Sequence, residues 1–350
     1  MSGTRIRVLV CDDSFTIRSI IARILGSDPE IEVAGLAADG AKAAEALRAG
    51  NIDVVVLDVE MPVMDGLTAL PLLLRIDPGV RIIMASALTT QGGAITMRAL
   101  AAGAADYVPK PAAAQADEFA REILTKVKGQ ARLRRLGAAI GRLPAAPPPT
   151  LTLQPQPART PLLLAIGSST GGPQALFAFF RALAAPLPVP IVVTQHMPPL
   201  FTRSLAEHIE RQGPRSCREA GDRQPLLPDH ILIAPGDRHM TIMATEAGLR
   251  IRLTDDPPEN SCRPAVDPML RSAAVACQGR VLAVILTGMG QDGLRGGKAV
   301  LDAGGSILAQ DEASSVVWGM PGAVARAGLC HAVLPIDELA RKVSSMMRAR

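Results

Sequence analysis

Aromatic residues are scarce in this sequence, with one Trp, one Tyr and six Phe among 350 residues. Hydrophobic residues still make up 48%. Well-filled cores of Val, Leu, Ile and Ala are therefore within reach, and disorder of the whole chain is excluded. Cysteine is sparse: Cys11, Cys217, Cys262, Cys277 and Cys330 are odd in number and form no CxxC. That pattern fits a reduced, cytoplasmic chain better than a disulfide framework. Neither sign of charge dominates, because 37 Lys and Arg against 33 Asp and Glu leave only +4. So small an excess gives no argument for a nucleic-acid partner. The basic stretch Lys126, Lys128, Arg132, Arg134 and Arg135 reads as a solvated helix face. No apolar run reaches the ~18 residues that would span a bilayer. The N-terminus also lacks an apolar signal core followed by a cleavage site. A soluble chain with no direct membrane insertion is expected.

The length favours roughly two domains. The seam is the stretch "GRLPAAPPPTLTLQPQPARTP", with seven prolines from Pro144 to Pro161. Proline fixes φ and removes a donor, so this run reads as an extended tether. The expected organisation is a first domain at 1–128, a Pro-rich linker at 129–159 and a second domain at 160–350. Before the seam, the apolar runs "IRVLV", "IEVAGLA", "DVVVLD", "RIIMAS" and "ADYVPK" alternate with amphipathic segments. After it, "LLLAIG", "IVVTQ", "HILIAP", "RVLAVILTG" and "SILAQ" do the same. Continuous apolar strands alternating with helices imply parallel sheets covered on both faces, so both domains are expected to be α/β and doubly wound. "HMTIM" and "LRIRL" suggest an antiparallel hairpin inserted in the second.

In the first domain, Asp12 and Asp13 follow one strand and Asp58 ends another. Ligands bind outside the carboxyl ends of strands in open α/β sheets, so these carboxylates can converge on one crevice. Clustered carboxylates repel unless a cation joins them, and oxygen-only ligands suit Mg²⁺. Ser86 and Lys110, at two further strand ends, supply donors for phosphoryl oxygens, and Asp58 can accept the phosphoryl group. Capping of the next helix, as by Asp13 with Ser14, is the structural alternative for any one of these residues. It fits the five together poorly. "CDDS", "LDVEMPVMDG", "MASAL" and "YVPKP" resemble, in order and spacing, the receiver domain of bacterial two-component response regulators over roughly residues 5–125. The resemblance implies a flavodoxin-like fold with Asp58 as phosphoacceptor. It also implies Mg²⁺ on Asp12, Asp13, Asp58 and the carbonyl of Glu60, phosphoryl contacts from Ser86 and Lys110, and Tyr107 as aromatic switch residue. A cis Lys110–Pro111 bond is a further expectation of that resemblance.

In the second domain, "IGSSTGG" at 166–172 lies between an apolar run and a helix-like segment. It has no G-x-G-x-x-G and no P-loop lysine, so neither nucleotide fingerprint is met, although its amides could still face an anion. Gly167-Ser168-Ser169-Thr170-Gly171 does satisfy G-x-S-x-G centred on Ser169. A serine N-cap is the competing reading. A nucleophilic Ser169 needs a base and an orienting acid. His196 ends the strand "IVVTQ" before "MPP" forces a turn, which puts its imidazole at the same sheet edge. His208 on a polar helix face, His230 in a loop and His331 opening a strand read as structural or solvated, and His239 is the one rival. Asp292 in "VLAVILTGMGQDGLRGG" can accept from the imidazole, or else cap the following helix. The chain order Ser, His, Asp disfavours a common α/β-hydrolase, in which the acid precedes the histidine.

"AIGSSTGGPQAL", "VTQHMPP", "IAPGDRHM", "RPAVDPML", "ILTGMGQDG" and "WGMPGAV" resemble the catalytic domain of the chemotaxis protein-glutamate methylesterases, from roughly residue 160 onward. By that resemblance the domain is Rossmann-like and holds no cofactor in its esterase site. Ser169, His196 and Asp292 are the triad, the Met289 amide is an oxyanion donor and Thr170 a polar neighbour of the site. The implied function is a phosphorylation-regulated hydrolase of glutamate methyl esters on methyl-accepting chemotaxis receptors, with glutaminase activity beside it. A chemotaxis histidine kinase is the implied phosphodonor. Ser168 is assigned no chemistry. A DNA-binding response regulator would need a compact helix-turn-helix or a basic recognition helix, and residues 160–350 offer neither. A catalytically silent scaffold sits poorly with intact Ser169, His196 and Asp292.

Overall fold

A computed structural model of the chain describes residues 5–87, 89–110, 116–139, 151–155, 159–184 and 186–348. The chain divides into two compact units, Met1–Ala145 and Ala146–Arg350. In the first, strands and helices alternate: β1 (Ile6–Cys11), α1 (Phe15–Gly26), β2 (Ile31–Ala37), α2 (Gly40–Arg48), β3 (Val54–Asp58), α3 (Gly66–Ile76), β4 (Arg81–Ser86), α4 (Thr90–Ala101), β5 (Asp106–Pro109) and α5 (Ala116–Ala139). The five strands are parallel in the order β2-β1-β3-β4-β5. This is the flavodoxin-like order, whose switch point lies between β1 and β3. Every residue of β3 is buried, as a central strand covered by helices on both faces requires.

Three starts in this unit show how local chemistry punctuates it. Ser14, Asp39 and Asp65 each accept from a backbone amide three residues on, capping α1, α2 and α3. Asp13, offered as a cap with Ser14, is exposed and leaves the capping to Ser14. The basic stretch of α5 is not a solvated face. Lys126 is buried against Asp106 at 3.5 Å and Glu122 at 2.7 Å, Lys128 meets Asp28 at 2.6 Å, and Arg134 meets Asp77 at 2.8 Å. Glu122 is one turn away on α5, but Asp106, Asp28 and Asp77 come from other elements, which is why local sequence did not reveal them. The helix also runs through Gly129 to Ala139, so the first part of the expected linker is helical. Residues 140–150 and 156–158, and Pro111 with the expected cis bond, lie outside the described residues.

The second unit comprises β6 (Leu163–Ser168), α6 (Gly172–Ala182), β7 (Ile191–Gln195), α7 (Phe201–Gln212), β8 (Cys217–Glu219), β9 (Ile231–Ile233), β10 (His239–Thr245), β11 (Gly248–Thr254), α8 (Val266–Ala276), β12 (Val281–Ile285), α9 (Leu294–Asp302), β13 (Ser306–Gln310), α10 (Met320–Arg326), β14 (Ala332–Leu334) and α11 (Ile336–Arg348). Seven strands form a parallel sheet in the order β14-β13-β12-β6-β7-β9-β8. The fully buried β6, β7 and β12 are its centre. β10 and β11 form the expected antiparallel hairpin. Its Met240, Ile242 and Ile251 join Met269, Leu270 and Ala273 of α8 in one apolar cluster. The far end of the tether belongs to this unit. The Gln154 amide donates to the Cys330 carbonyl at 2.8 Å, the Pro155 carbonyl faces His331 Nδ1 at 3.0 Å, and Leu151 packs on the core. No helix of the described residues is long and apolar enough to cross a membrane.

Candidate active site and phosphoacceptor pocket

The first pocket lies at the carboxyl ends of β1, β3, β4 and β5. Asp12 and Asp58 are buried and Asp13 is exposed, with one ligand oxygen of each within 4.8 Å of the others. Lys110 Nζ stands 3.0 Å from Asp12 Oδ2 and 2.8 Å from Asp58 Oδ2. Those same two oxygens are buried and receive no directed hydrogen bond. Burial lifts the Asp58 pKa from 3.8 to about 6, and the charge of Asp12 adds to the rise, against the adjacent Lys110 ammonium. The pocket is thus short of positive charge, and its oxygens fit a hard divalent cation. Ser86 is buried at the end of β4, its hydroxyl 3.3 Å from the Gly92 carbonyl, and its carbonyl accepts from the Lys110 amide at 2.8 Å. The Glu60 amide donates to Asp58 Oδ1 at 3.4 Å. Tyr107 is buried rather than exposed, with Lys126 Nζ 4.7 Å from its ring centroid.

The second site lies at the carboxyl ends of β6, β7 and β12. The two serines of the elbow separate cleanly. Ser168 is buried and donates to Gln195 Oε1 at 2.6 Å, a lock between neighbouring strand ends. Ser169 is half-buried, and its amide donates to the Thr287 carbonyl at 3.0 Å. The start of α6 at Gly171 has no side-chain cap, so Ser169 is not the N-cap serine of the competing reading. Gly171 sits at φ +74, and a Cβ there would come within 2.3 Å of Val316. Only glycine makes that turn. The loop after β12 closes on Ser169 in the same way: a Cβ on Gly288 would stand 2.8 Å from Ser169 Cβ. Met289 follows it, and the Thr170 carbonyl accepts from Thr287 Oγ1 at 2.9 Å.

His196 follows β7, its amide donating to the Ser168 carbonyl at 3.1 Å. Its Nε2 lies 2.8 Å from Asp292 Oδ2. Asp292 is buried and accepts from the amides of Val266 (2.6 Å), Asp267 (3.0 Å) and Gly293 (3.0 Å), and from Asn260 Nδ2 (2.9 Å). Two of those amides open α8, so Asp292 caps a helix, but not the one that follows it. The cap of the following helix comes from Asp267, whose Oδ1 accepts from Gly293 at 3.0 Å and Gly296 at 2.6 Å. The two aspartates thus exchange caps between α8 and α9. Burial alone would raise the Asp292 pKa; the bond to His196 and the amides of α8 outweigh it and hold the carboxyl below its usual range. Burial would likewise lower the His196 pKa, but bonds to Asp292 and then to Cys262 raise it above the ordinary 6.5.

The other histidines are structural or peripheral. His239 is buried, accepting from the Ala265 amide at 3.2 Å while its Nε2 meets the Pro257 carbonyl at 3.1 Å. His208 is not on a polar face: it is buried, its ring centroid 4.5 Å from that of Phe177. Sequence reasoning missed Asn260, Asp267 and Cys262. Asp267 lay inside the motif "RPAVDPML", and Asn260 and Cys262 just before it. Their polar character in an otherwise turn-like stretch was the only signal.

A carboxylate pocket facing a lysine on one α/β unit, and a serine, a histidine and an anchored aspartate at one sheet edge of another, define the class. It is a response regulator whose output unit is built like a serine hydrolase. Residues 8–120 match the response regulator receiver domain and residues 164–343 match CheB methylesterase. The protein-glutamate methylesterase/protein-glutamine glutaminase of Azospirillum brasilense is 53% identical over 360 residues, covering 96% of this chain and 91% of that one. A like-named protein of Paramagnetospirillum magneticum is 47% identical, covering 99% and 97%. The crystal structure of the Thermotoga maritima CheB methylesterase catalytic domain is covered in full by 54% of this chain, with 39% identity and a TM-score of 0.52. The chain belongs to the CheB methylesterase family, with a receiver domain ahead of the catalytic one.

Proposed function

We propose that this protein is a protein-glutamate methylesterase, with protein-glutamine glutaminase activity, controlled by phosphorylation of its receiver. Its substrates are the methylated receptors of a chemosensory pathway and its phosphodonor is that pathway's histidine kinase. The observation that carries the reading is the His196–Asp292 bond at the sheet edge that also carries Ser169. Because Nε2 is engaged by Asp292, Nδ1, which lies 3.3 Å from Cys262 Sγ, is the ring nitrogen that takes the Ser169 proton. The Ser169 oxygen then attacks the γ-carbonyl of the glutamate methyl ester. The Met289 amide, on the loop that follows Gly288, is the donor assigned to the resulting oxyanion. His196 returns the proton to the departing methoxide, releasing methanol, and water repeats the sequence to free the glutamate. Asp292 fixes the ring and stabilises the imidazolium throughout. An amide substrate would follow the same route and release ammonia.

Asp58 is the phosphoacceptor. Asp12, Asp13, Asp58 and the Glu60 carbonyl would hold Mg²⁺, which when bound offsets the phosphoryl charge. Lys110 and Ser86 contact the phosphoryl oxygens. Methanol release from methylated receptor membranes, with and without a small phosphodonor, tests the whole reading. Ser169→Ala should abolish release, and Asp58→Asn should keep the basal rate while losing the stimulation. Stimulation of Asp58→Asn equal to wild type would remove Asp58 from its role.

A further inference from the structure

Of the five cysteines, Cys11, Cys217, Cys277 and Cys330 are buried and Cys262 alone is not. It sits on the loop between β11 and α8. There Glu259 and Cys262 exchange backbone bonds of 3.1 and 2.9 Å across a tight turn. Asn260 and Ser261, at the centre of the turn, both have positive φ, 52 and 61. That geometry is a primed turn, which fixes where its side chains point. Asn260 reaches Asp292 Oδ1 at 2.9 Å and Asp267 Oδ2 at 3.1 Å. Cys262 Sγ lies 3.3 Å from His196 Nδ1. His196 is therefore bracketed, with a carboxylate on Nε2 and a sulfur on Nδ1, and both partners are held by one loop.

We propose that Cys262 is a positioning residue of the esterase, acting through His196: it orients the imidazole and tunes the proton affinity of Nδ1. With a neutral ring the thiol S–H donates to Nδ1. With a protonated ring Nδ1–H donates to sulfur. The second arrangement is the stronger, because its donor is charged. Cys262 thus has to release Nδ1 before Ser169 gives up its proton, and it favours the imidazolium that results by accepting from Nδ1–H. Arg263, next to Cys262, is paired with Asp237 at 2.7 Å. Asp292 faces Nε2, Asp267 stands behind it across Asn260, and Arg271 is paired with Glu259 of the same loop at 3.0 Å. The raised His196 pKa agrees with this arrangement, Cys262 standing next after Asp292 among the groups that lift it.

The inference rests on the Ser169–His196–Asp292 reading for its effect on rate, but not for its effect on the ring. The full chain, labelled at histidine, would be titrated by NMR as wild type, Cys262→Ser and Cys262→Ala. The His196 resonance is identified by its loss in His196→Asn. The His196 midpoint should fall by about one pH unit in Cys262→Ala, with Cys262→Ser in between. The rising limb of the pH–kcat profile for methanol release should move by the same amount, with KM little changed. An unmoved His196 midpoint in both variants would overturn the proposal. A moved midpoint in proteins that release no methanol would uphold the Cys262–His196 coupling and sink the esterase triad instead.

Discussion

Single residues set two opposite demands. Gly288 must be small: a Cβ there would meet Met320 Sδ at 2.4 Å and Ser169 Cβ at 2.8 Å. Gly288→Ala should therefore shift the elbow by a few tenths of an ångström. Displacements of that kind cost well-placed active sites on the order of 10-fold or more in rate, so kcat for methanol release should fall while the thermal midpoint falls only modestly. Asp58 must be charged where charge is disfavoured. Its folded pKa, about 6, lies above the unfolded value, so ionising it costs the folded state. The penalty is absent below about pH 4 and builds as pH rises through 6. Asp58→Asn removes that penalty and leaves Lys110 its 3.0 Å pair with Asp12. Thermal unfolding in EDTA should show the variant more stable at pH 7.5, by about 1–2 kcal/mol after the lost Lys110 contact is discounted. The gain should vanish near pH 4, and a variant less stable than wild type at pH 7.5 would contradict it.

Helices α8 and α9 are coupled by the aspartates that cap one another's partner. Asp267→Ala strips the Gly296 amide of its side-chain acceptor and leaves the Gly293 amide with Asp292 Oδ1 alone. Loss of such a cap typically costs about 1–2 kcal/mol, so the second unit should melt lower, while kcat changes less than in Asp292→Ala. The aspartate at 292 carries both the α8 cap and the His196 bond, and its loss should lower stability and rate together. A larger rate loss for Asp267→Ala than for Asp292→Ala would reverse those assignments. This exchange marks where the sequence stopped being readable. Strand ends were legible, because continuous apolar runs finishing in Asp58, Ser86, Ser169 or His196 place chemistry at a sheet edge by period alone. The hairpin was legible from alternation in "HMTIM" and "LRIRL". The reach of Asp292 back to α8, the burial of Lys126 under Tyr107, and the turn that delivers Asn260 and Cys262 were not. Each depends on a partner brought near by folding, with no local pattern to announce it. The expected linker at 129–159 read as tether throughout, yet its residues 129–139 continue α5 and residues 151–155 are docked, since composition reports what a segment cannot be more reliably than what it touches.

At the scale of the whole molecule, the chain forms two units with separate sheets and cores, and residues 151–155 of the tether attach to the second. Gln154 adds a 2.8 Å bond to Cys330 beside β14, an edge strand none of whose residues is fully buried, and Leu151 covers apolar surface next to it. An edge strand gains more from such a strap than a central one, because its outer side has unpaired backbone groups. A chain starting at Leu151 should accordingly fold more stably than one starting at Arg159. The difference expected from a few partly exposed hydrogen bonds and a partly covered leucine is about 1–2 kcal/mol. Denaturant unfolding would register it as a lower midpoint at nearly unchanged slope. Both chains lack Asp58, so methanol release from either should be indifferent to a phosphodonor. Equal midpoints would mean that residues 151–155 lie on the second unit without stabilising it, leaving them as tether alone.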